Sequence, residues 1–565
     1  VPAGEPRLLI RAQGQITADG LRAARNLQPL DTLARQARGQ TSYSATLGWR
    51  GDHPELGVRS SLEGLELNLP APLGKRAAQA LPLSVSTRVL STSASNPRDQ
   101  LQIDIGQTAS AIWVRDLSGP TPRAIRGNLA IGSRTGGASS MPEQGVAAVV
   151  RLDELPLDAW EAVLPAATAG HADDGDDDAW RSYLPNRLGL QAGTLTTGGR
   201  TLHDVVAGIT REGSTWRANI DARELSGHAQ LIPPDRQQAG KLYARLARLN
   251  LPPSAVSEVE SMMEAPPSSM PALDIQIEDM VLRGKKLGRI EIEAVNTENR
   301  TSRNAVREWQ LQKLKLSVPE ASLQATGRWA APQDNRPRRT EMNFRLDVRN
   351  AGELLARLGT PDALRSGSGH LEGQIGWNGS PLALHYPSMQ GQFQVKMGKG
   401  QFLKADPGAA KLLGVLSLQA LPRRLTLDFR DVFSEGFAFD FVRGDIAIQQ
   451  GIASTNNLQM KGVNAAVLME GRADIARETQ DLRVVVVPEI NAGTASVVAS
   501  VIHPAVGLGS FLAQLILRQP LIRASTQEFH VDGTWAEPRV TRIQSQNQNQ
   551  NRSSPEASPP SSGGN

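Results

Sequence analysis

Leu101-Gln102-Ile103-Asp104-Ile105 is the stretch that decides the fold, because apolar and polar side chains alternate along it without a break. A period of two is typical of a β-strand with one apolar and one polar face. The same alternation recurs at Leu273–Ile277, Leu314–Val318, Phe344–Val348, Leu425–Phe429 and Phe437–Phe441. In many places such strands follow one another at roughly 8–12 residues, between Gly, Asn, Asp or Pro, which indicates hairpin connections.

These patterns predict a mainly β fold: a long curled antiparallel sheet of repeated strands that forms an elongated groove. Helical spacing is confined to a few short stretches, Asp153–Leu164, Ala351–Leu358 and Pro407–Leu421, where we expect plugs or caps. A weak Gly-x-Trp-x-x-Pro repeat occurs at Gly327–Pro332 and Gly533–Pro538. We expect each Trp to pack over a sheet face and each Pro to end a strand ladder; chance recurrence of turn residues is the alternative.

The composition excludes several classes of protein. The 565 residues include 52 Gly and 36 Pro, which disfavours a helical bundle. The 61 Lys and Arg are interleaved with 57 Asp and Glu, so the basic stripe of a nucleic-acid-binding protein is missing. Since the chain has no Cys, disulfides, thiolate catalysis and Cys-ligated zinc are excluded.

Motifs for catalysis are also missing from the sequence. The eight His residues form no His-Glu-x-x-His motif, and there is no nucleophile elbow or P-loop. The acidic run Asp173–Asp178 lacks the ligand spacing of an EF-hand. We therefore expect no catalytic residue, no metal site and no cofactor. A β-rich carbohydrate hydrolase with two carboxylates far apart in the chain stays as a minor alternative.

Composition divides the chain into successive stretches. They are a β-sheet segment at 1–165 with a short helix at 153–164, an acidic linker at 166–189, a β-repeat segment at 190–253, a Ser/Pro-rich linker at 254–271, a β-groove segment at 272–488 with short helices near 351–358 and 407–421, an apolar helical hairpin at 489–525, a final strand at 526–542 and a disordered tail at 543–565. Val1–Glu5 has no signal-peptide features, so we expect a portion of a longer protein.

The segment Ile490–Leu517 stands out because it contains no charged side chain. His503-Pro504 interrupts it, which favours two short helices over one membrane-spanning helix. Three interpretations of this segment remain: a buried cap on the sheet, an interfacial membrane element and a true membrane span. In the interfacial reading, the lipid- or membrane-contacting side chains are Val497, Val498, Val501, Ile502, Phe511, Leu512, Leu515 and Ile516, with Arg518 and Arg523 placed to meet headgroup phosphates.

The order of several motifs is similar to that of a known family. These motifs are Gly400–Phe402, Leu412–Leu421, Arg424–Phe433, Gly436–Asp440, Pro488–Gly493, Pro504–Gly509 and Gly533–Trp535, with Leu157–Trp160, Leu358–Gly359 and Leu371–Trp377 upstream. In this order the chain resembles the C-terminal portion of the YhdP family of AsmA-like bacterial envelope proteins. The resemblance covers most of the chain and is strongest after residue 350.

The resemblance implies a periplasmic protein of a Gram-negative cell envelope, with a hydrophobic groove involved in phospholipid transport between the inner and outer membranes. It implies an inner-membrane anchor, which this chain lacks, and outer-membrane contact at the C-terminal tip. The expected partners are phospholipid, membrane and an envelope protein, with no nucleic acid. From alternation alone, an open groove and a sandwich filled by side chains are equally possible, and a scaffold that binds a protein partner is the alternative function.

Overall fold

The computed structural model of the chain describes residues 9–23, 35–50, 53–91, 96–132, 141–163, 179, 181–234, 239–252, 270–299, 306–330, 338–381, 383–403, 437–462, 465–488, 507–510 and 526–543. Its strands belong to one long mixed sheet of 29 strands. The predicted mainly β fold with a long sheet is therefore confirmed. Contacts divide the chain into a first unit, Val1–Ala265 with Ser269–Gly284 and Arg289–Glu293, and a second unit, Pro266–Ser268 with Lys285–Gly288 and Ala294–Asn565.

The first unit contains fifteen strands and two short helices within its described residues. The strands are β1 (Leu9–Thr17), β2 (Ala37–Arg50), β3 (His53–Ser60), β4 (Leu65–Leu67), β5 (Leu83–Ser91), β6 (Arg98–Ile105), β7 (Ala109–Asp116), β8 (Arg123–Ile131), β9 (Gly145–Pro156), β10 (Arg187–Thr197), β11 (Arg200–Glu212), β12 (Thr215–Asp221), β13 (Leu225–Ile232), β14 (Lys241–Leu251) and β15 (Ala272–Leu282). The helices are α1 (Ala18–Ala23) and α2 (Leu157–Val163).

The strand β16 (Lys285–Asn299) contributes residues to both units. The second unit continues with β17 (Val306–Val318), β18 (Ala321–Ala330), β19 (Arg339–Val348), α3 (Ala351–Arg357), β20 (Leu364–Ser366), β21 (Gly369–Asn378), a 3-10 turn (Tyr386–Ser388), β22 (Gln390–Met397), β23 (Gly400–Phe402), β24 (Phe437–Gln449), β25 (Ile452–Gly462), β26 (Ala465–Asp474), β27 (Thr479–Pro488), β28 (Gln527–Thr534) and β29 (Pro538–Ile543).

The sheet is mixed rather than wholly antiparallel. Among the described strands, β8 with β9, β9 with β10 and β14 with β15 pair in parallel. A parallel neighbour requires the chain to return along the length of the strand, so its connection is longer than a hairpin turn. The predicted linkers at 166–189 and 254–271 fall largely in two of these long connections, between β9 and β10 and between β14 and β15.

The predicted strands and helices occupy these positions in the structure. The alternating stretches at 101–105, 273–277, 314–318, 344–348 and 437–441 lie in β6, β15, β17, β19 and β24, and 425–429 lies outside the described residues. The helix predicted at 153–164 begins only at Leu157, because Glu154 and Leu155 still pair with β10 as part of β9. A helix occupies Ala351–Arg357, and the one predicted near 407–421 lies outside the described residues.

Candidate functional site

Cross-strand pairing builds a continuous apolar row in the first unit. We call it the central row; it takes one residue from each of fourteen paired strands, Ala12, Ala45, Val58, Val85, Ile103, Ala111, Leu129, Ala148, Leu188, Ile209, Ala218, Ala229, Ala244 and Ile275. Neighbouring strands are about 4.8 Å apart, so the row runs for roughly 60 Å measured along the sheet. Several of its larger side chains, such as Val58 and Ile103, are only half-buried.

A second row lies two residues along each strand from the central row and therefore on the same face. It consists of Gly14, Tyr43, Ser60, Leu83, Ile105, Ala109, Ile131, Val150, Leu190, Ala207, Ile220, Gly227, Leu246 and Ile277. Neither row contains a charged side chain. Together they form the apolar face of the first unit.

The opposite face of the same strands is mostly polar. The residues of its middle row are Thr46, Gly57, Ser86, Gln102, Ile112, Asn128, Ala147, Arg187, Thr210, Arg217, Gln230, Tyr243 and Asp274. Arg217 on this face is paired with Glu212, and Arg245 with Asp274. The sheet therefore presents one face suited to water and one suited to hydrocarbon.

The helix α2 covers part of the apolar face at one end of the strands. Its Leu157 packs against a buried cluster that includes Leu190 and Val205. The Asp158 carboxylate accepts hydrogen bonds from the backbone N–H groups of Gly198 and Gly199, the latter at 2.9 Å. On the other side, the Trp160 indole N–H donates to the Ala71 carbonyl at 2.9 Å. The helix thus joins the β10–β11 turn to the connection between β4 and β5.

The second unit has an apolar face of its own, built from β17, β18, β19, β21, β22 and β24. One row contains Leu314, Ala325, Phe344, Gly373, Phe393 and Ile446, and the next contains Leu316, Leu323, Leu346, Leu371, Val395 and Gly444. The Phe344 and Phe393 rings lie on either side of Gly373, with centroids 6.3 Å apart. Both rings are half-buried, so an aromatic pair stands on this face where β21 has no side chain.

One edge of this face is closed by tryptophans. The registers align Trp309, Trp329, Thr340 and Trp377 in a single row, and all four are buried. The Trp377 indole N–H donates to the Ser380 carbonyl at 2.9 Å. Trp329 belongs to the Gly-x-Trp-x-x-Pro stretch Gly327–Pro332, and its burial agrees with the predicted packing of that Trp over a sheet face.

The other edge of the apolar face is closed by α3. A side-chain-filled cluster extends from Val348 and α3 through Phe402 and Phe439 to strands β25–β28. The helix is tied to the β17–β18 turn by Arg357, whose guanidinium donates to the Glu320 carboxylate at 2.6 and 2.9 Å. The second unit therefore has features of both predicted arrangements, the open groove and the sandwich filled by side chains. Its apolar rows on β17–β22 are half-exposed, whereas β24–β28 have a filled core.

The match with known proteins extends over almost the whole chain. Residues 3–540 match the family model of the YhdP protein. The chain belongs to the YhdP family. The intermembrane phospholipid transporter YhdP of Escherichia coli strain K12 is 27% identical to it over 262 residues, which are 46% of this chain and 20% of that protein. The chain thus aligns with about a fifth of the length of that relative. No solved structure matches it.

The predicted membrane-contact residues of this YhdP-family chain, from Val497 to Arg523, lie outside the described residues. Of the predicted hairpin, only residues 507–510 are described, as a helical turn, and Leu508 there is 1% exposed. A Cβ on Gly507 would lie 3.5 Å from the Asn456 side chain in β25. In β26, which pairs with β25, consecutive residues such as Val467 and Leu468 are buried on both sheet faces. This turn therefore packs against the protein.

Two buried charged groups of the first unit, Asp99 and Lys75, have partners within the protein. Asp99 and Arg115 form a two-pronged ion pair between β6 and β7. The Lys75 ammonium donates to the carbonyls of Leu62, Leu65 and Arg76. Within the described ranges, no three metal-ligating side chains come together, and no helix is both long and apolar enough to cross a bilayer.

Sequence reasoning identified the alternation but not which residues meet on the apolar face. The Phe344–Phe393 pair and the central row depend on register, which joins residues that are far apart in the chain. The one sequence feature that points to the aromatic pair is Gly373. It occupies an apolar-face position of β21 without a side chain, between Phe344 and Phe393 on the neighbouring strands.

Proposed function

We propose that this YhdP-family chain binds phospholipid on its apolar face and forms part of a route for phospholipid between the inner and outer membranes of a Gram-negative envelope. The central row is the observation that carries the proposal. It is free of charge over fourteen strands, and its larger side chains stay half-exposed although a polar face backs them. The name of the Escherichia coli relative, an intermembrane phospholipid transporter, supports the same function.

Physical chemistry explains how such a face acts without a catalytic group. Each buried CH2 of an acyl chain contributes about 0.8 kcal/mol, so a hydrocarbon surface offsets the cost of leaving a bilayer. Rows on the same face are roughly 6.6 Å apart along a strand, which is wide enough for acyl chains to lie against two rows at once. The function needs neither covalent chemistry nor a cofactor, so we propose that the chain is not an enzyme.

The surroundings of the protein are part of the proposal. A periplasmic location fits a sheet with one water-compatible face and one lipid-compatible face. We propose that the protein is anchored in the inner membrane and that its C-terminal end approaches the outer membrane. The similarity to an intermembrane transporter supports this arrangement.

The segment Ile490–Leu517 is proposed to reach lipid through the side chains predicted from its sequence, with Arg518 and Arg523 near headgroups. The burial of Leu508 favours the buried-cap reading for the turn at 507–510. A double replacement, Val501→Asp with Leu515→Asp, distinguishes lipid contact by this segment from binding to a protein partner. Loss of liposome binding with an intact fold supports lipid contact, whereas loss of binding to an envelope protein alone supports the scaffold function.

A pair of neighbouring substitutions in β22 tests phospholipid binding on the apolar face. Phe393→Asp places a carboxylate on that face, and Gln394→Asp places one on the polar face of the same strand. We expect phospholipid recovered with the purified chain to fall several-fold for Phe393→Asp and to be unchanged for Gln394→Asp. Equal lipid content in wild type and Phe393→Asp, with both folded, would contradict the proposal.

A further inference from the structure

The apolar face of the first unit ends in an exposed rim on β11–β15. Its residues are Arg211, Trp216, Leu231, Leu242 and Leu273, which are paired in register and each lie one residue from the end of their strand. They lie two residues from the central row and on the same face. Trp216 is 40% exposed and Leu231, directly opposite it, is 42% exposed. This is the end of the strands away from the β10–β11 turn that α2 binds.

A single cation stands at this rim. The Arg211 guanidinium carbon lies 5.6 Å from the centroid of the Trp216 ring, within cation–π distance. Among the described residues it forms no ion pair and no side-chain hydrogen bond. Neighbouring arginines differ in this respect, since Arg217 is bound to Glu212 at 2.6 Å and Arg245 to Asp274 at 2.7 Å.

The occupant that fits this arrangement has an anionic head and a hydrocarbon body. A guanidinium stacked on an indole keeps its N–H edge available, and that edge matches the oxygens of a phosphate in a bidentate geometry. Because Arg211 is at the end of its strand, a phosphate held there stays in contact with water. Hydrocarbon attached to that phosphate can then lie over Leu231 and along the central row.

We propose that Arg211 and Trp216 form a headgroup site, at which the phosphate of a phospholipid binds while its acyl chains lie on the apolar face of the first unit. The inference rests on the proposed function and deepens it, because it assigns the polar end of the bound lipid to one named cation.

The test compares two lipids that differ only in the headgroup. Vesicles that contain phosphatidylglycerol, or diacylglycerol with the same acyl chains, are mixed with the purified chain, and the affinity for each labelled lipid is measured. Arg211→Ala should weaken phosphatidylglycerol binding on the order of tenfold and leave diacylglycerol binding unchanged. Arg217→Ala is the matched control, because Arg217 lies on the polar face beside Trp216; it should change neither affinity.

Other outcomes overturn the inference. If Arg211→Ala weakens both lipids equally, the residue has a structural role, and if it weakens neither, the headgroup lies elsewhere. Excess inorganic phosphate should compete only weakly; complete displacement of phosphatidylglycerol would instead identify a site for free phosphate. Arg211→Lys should retain part of the preference for phosphatidylglycerol if the variant keeps the wild-type melting temperature.

A second measurement separates failure of this site from failure of the proposed function. A photo-crosslinking amino acid at position 231 should label phosphatidylglycerol, and one at position 230, on the polar face, should not. If position 231 stays unlabelled while position 393 in the second unit is labelled, the headgroup site is wrong and lipid binding stands. If neither position is labelled, the proposed function fails as well.

Discussion

Replacing Gly373 with alanine should destabilise the second unit, because β21 has no room for a side chain at this position of the apolar face. A Cβ built there would lie 2.5 Å from both the Cα and the Cβ of Phe393 and would also collide with the Gln392 carbonyl. Ordinary contacts begin at 3.4 Å. The backbone of β22 would therefore have to move by about 1 Å, or Phe393 would have to leave its place beside Phe344.

The size of the effect follows from the cost of overpacking. Extra methyl groups in well-packed sites cost typically 1–3 kcal/mol, and here two of the colliding groups are backbone atoms that cannot rotate away. We expect a loss at the upper end, about 3 kcal/mol. For units of this size, each kcal/mol lowers the melting temperature by about 2–4 °C.

Hydrogen exchange is the suitable assay, because a chain of this length need not unfold in a single transition. Amides of β19, β21 and β22 should exchange faster in Gly373→Ala, and thermal unfolding should begin earlier. Gly208→Ala is the control: a Cβ there would have no atom within 4 Å, so stability should be unchanged or slightly higher. Wild-type exchange and melting in Gly373→Ala would refute the reasoning.

Three further predictions concern the contacts that hold the edges of the apolar faces. Arg357→Ala should destabilise the second unit by about 2 kcal/mol in urea unfolding, because it removes the partner of the Glu320 carboxylate, which is only 9% exposed. The hydrogen bond from Arg357 holds the pKa of Glu320 below the usual value of a carboxyl group. The stabilisation by this pair is therefore fully present above the usual carboxyl pKa, and it is lost as the pH falls through the lowered pKa of Glu320. Arg357→Ala should flatten this dependence of stability on pH. Trp377→Phe keeps a buried ring but loses the hydrogen bond to Ser380, which should cost about 1 kcal/mol by thermal unfolding. Asp158→Ala removes the acceptor that binds α2 to the β10–β11 turn and should increase exchange of the α2 amides, while a wild-type exchange pattern would show that α2 is held by its apolar contacts alone.

The fold class could be predicted from sequence because alternation is a local property. Stretches such as Leu101–Ile105 show the period of two that is typical of a strand, and Gly and Pro mark the turns between such stretches. Parallel pairing could not be predicted in this way. Whether β9 pairs in parallel with β8 depends on the path of the chain between the two strands. The residues within the strands carry no signal for that path.

The helix α2 shows how tertiary pairing shifts a local boundary. Asp153 and Glu154 have the acidic character of a first helical turn, yet β9 continues to Pro156 because its last residues pair with β10. The strand ladder outweighs the weak helix signal, so the helix begins later. Asp153 and Glu154 therefore lengthen strand β9 at the end of the sheet that α2 covers.

The candidate site depends on register more than on composition. Side chains that share the apolar face, such as Val85 and Leu129, come from different hairpins, and a slip of one residue would turn either to the polar face. Arg211 illustrates the limit of sequence reasoning, since one arginine among 61 Lys and Arg is unremarkable until the register places it beside Trp216 at the end of an uncharged face.

Site-specific crosslinking along β22 tests the central claim most directly. A photo-crosslinking amino acid is placed in turn at positions 392, 393, 394 and 395, and labelling by phospholipid is measured in cells. Because β22 alternates between the two faces, we predict strong labelling at Phe393 and Val395 and little at Gln392 and Gln394. Uniform labelling, or labelling confined to Gln392 and Gln394, would contradict phospholipid binding on the apolar face.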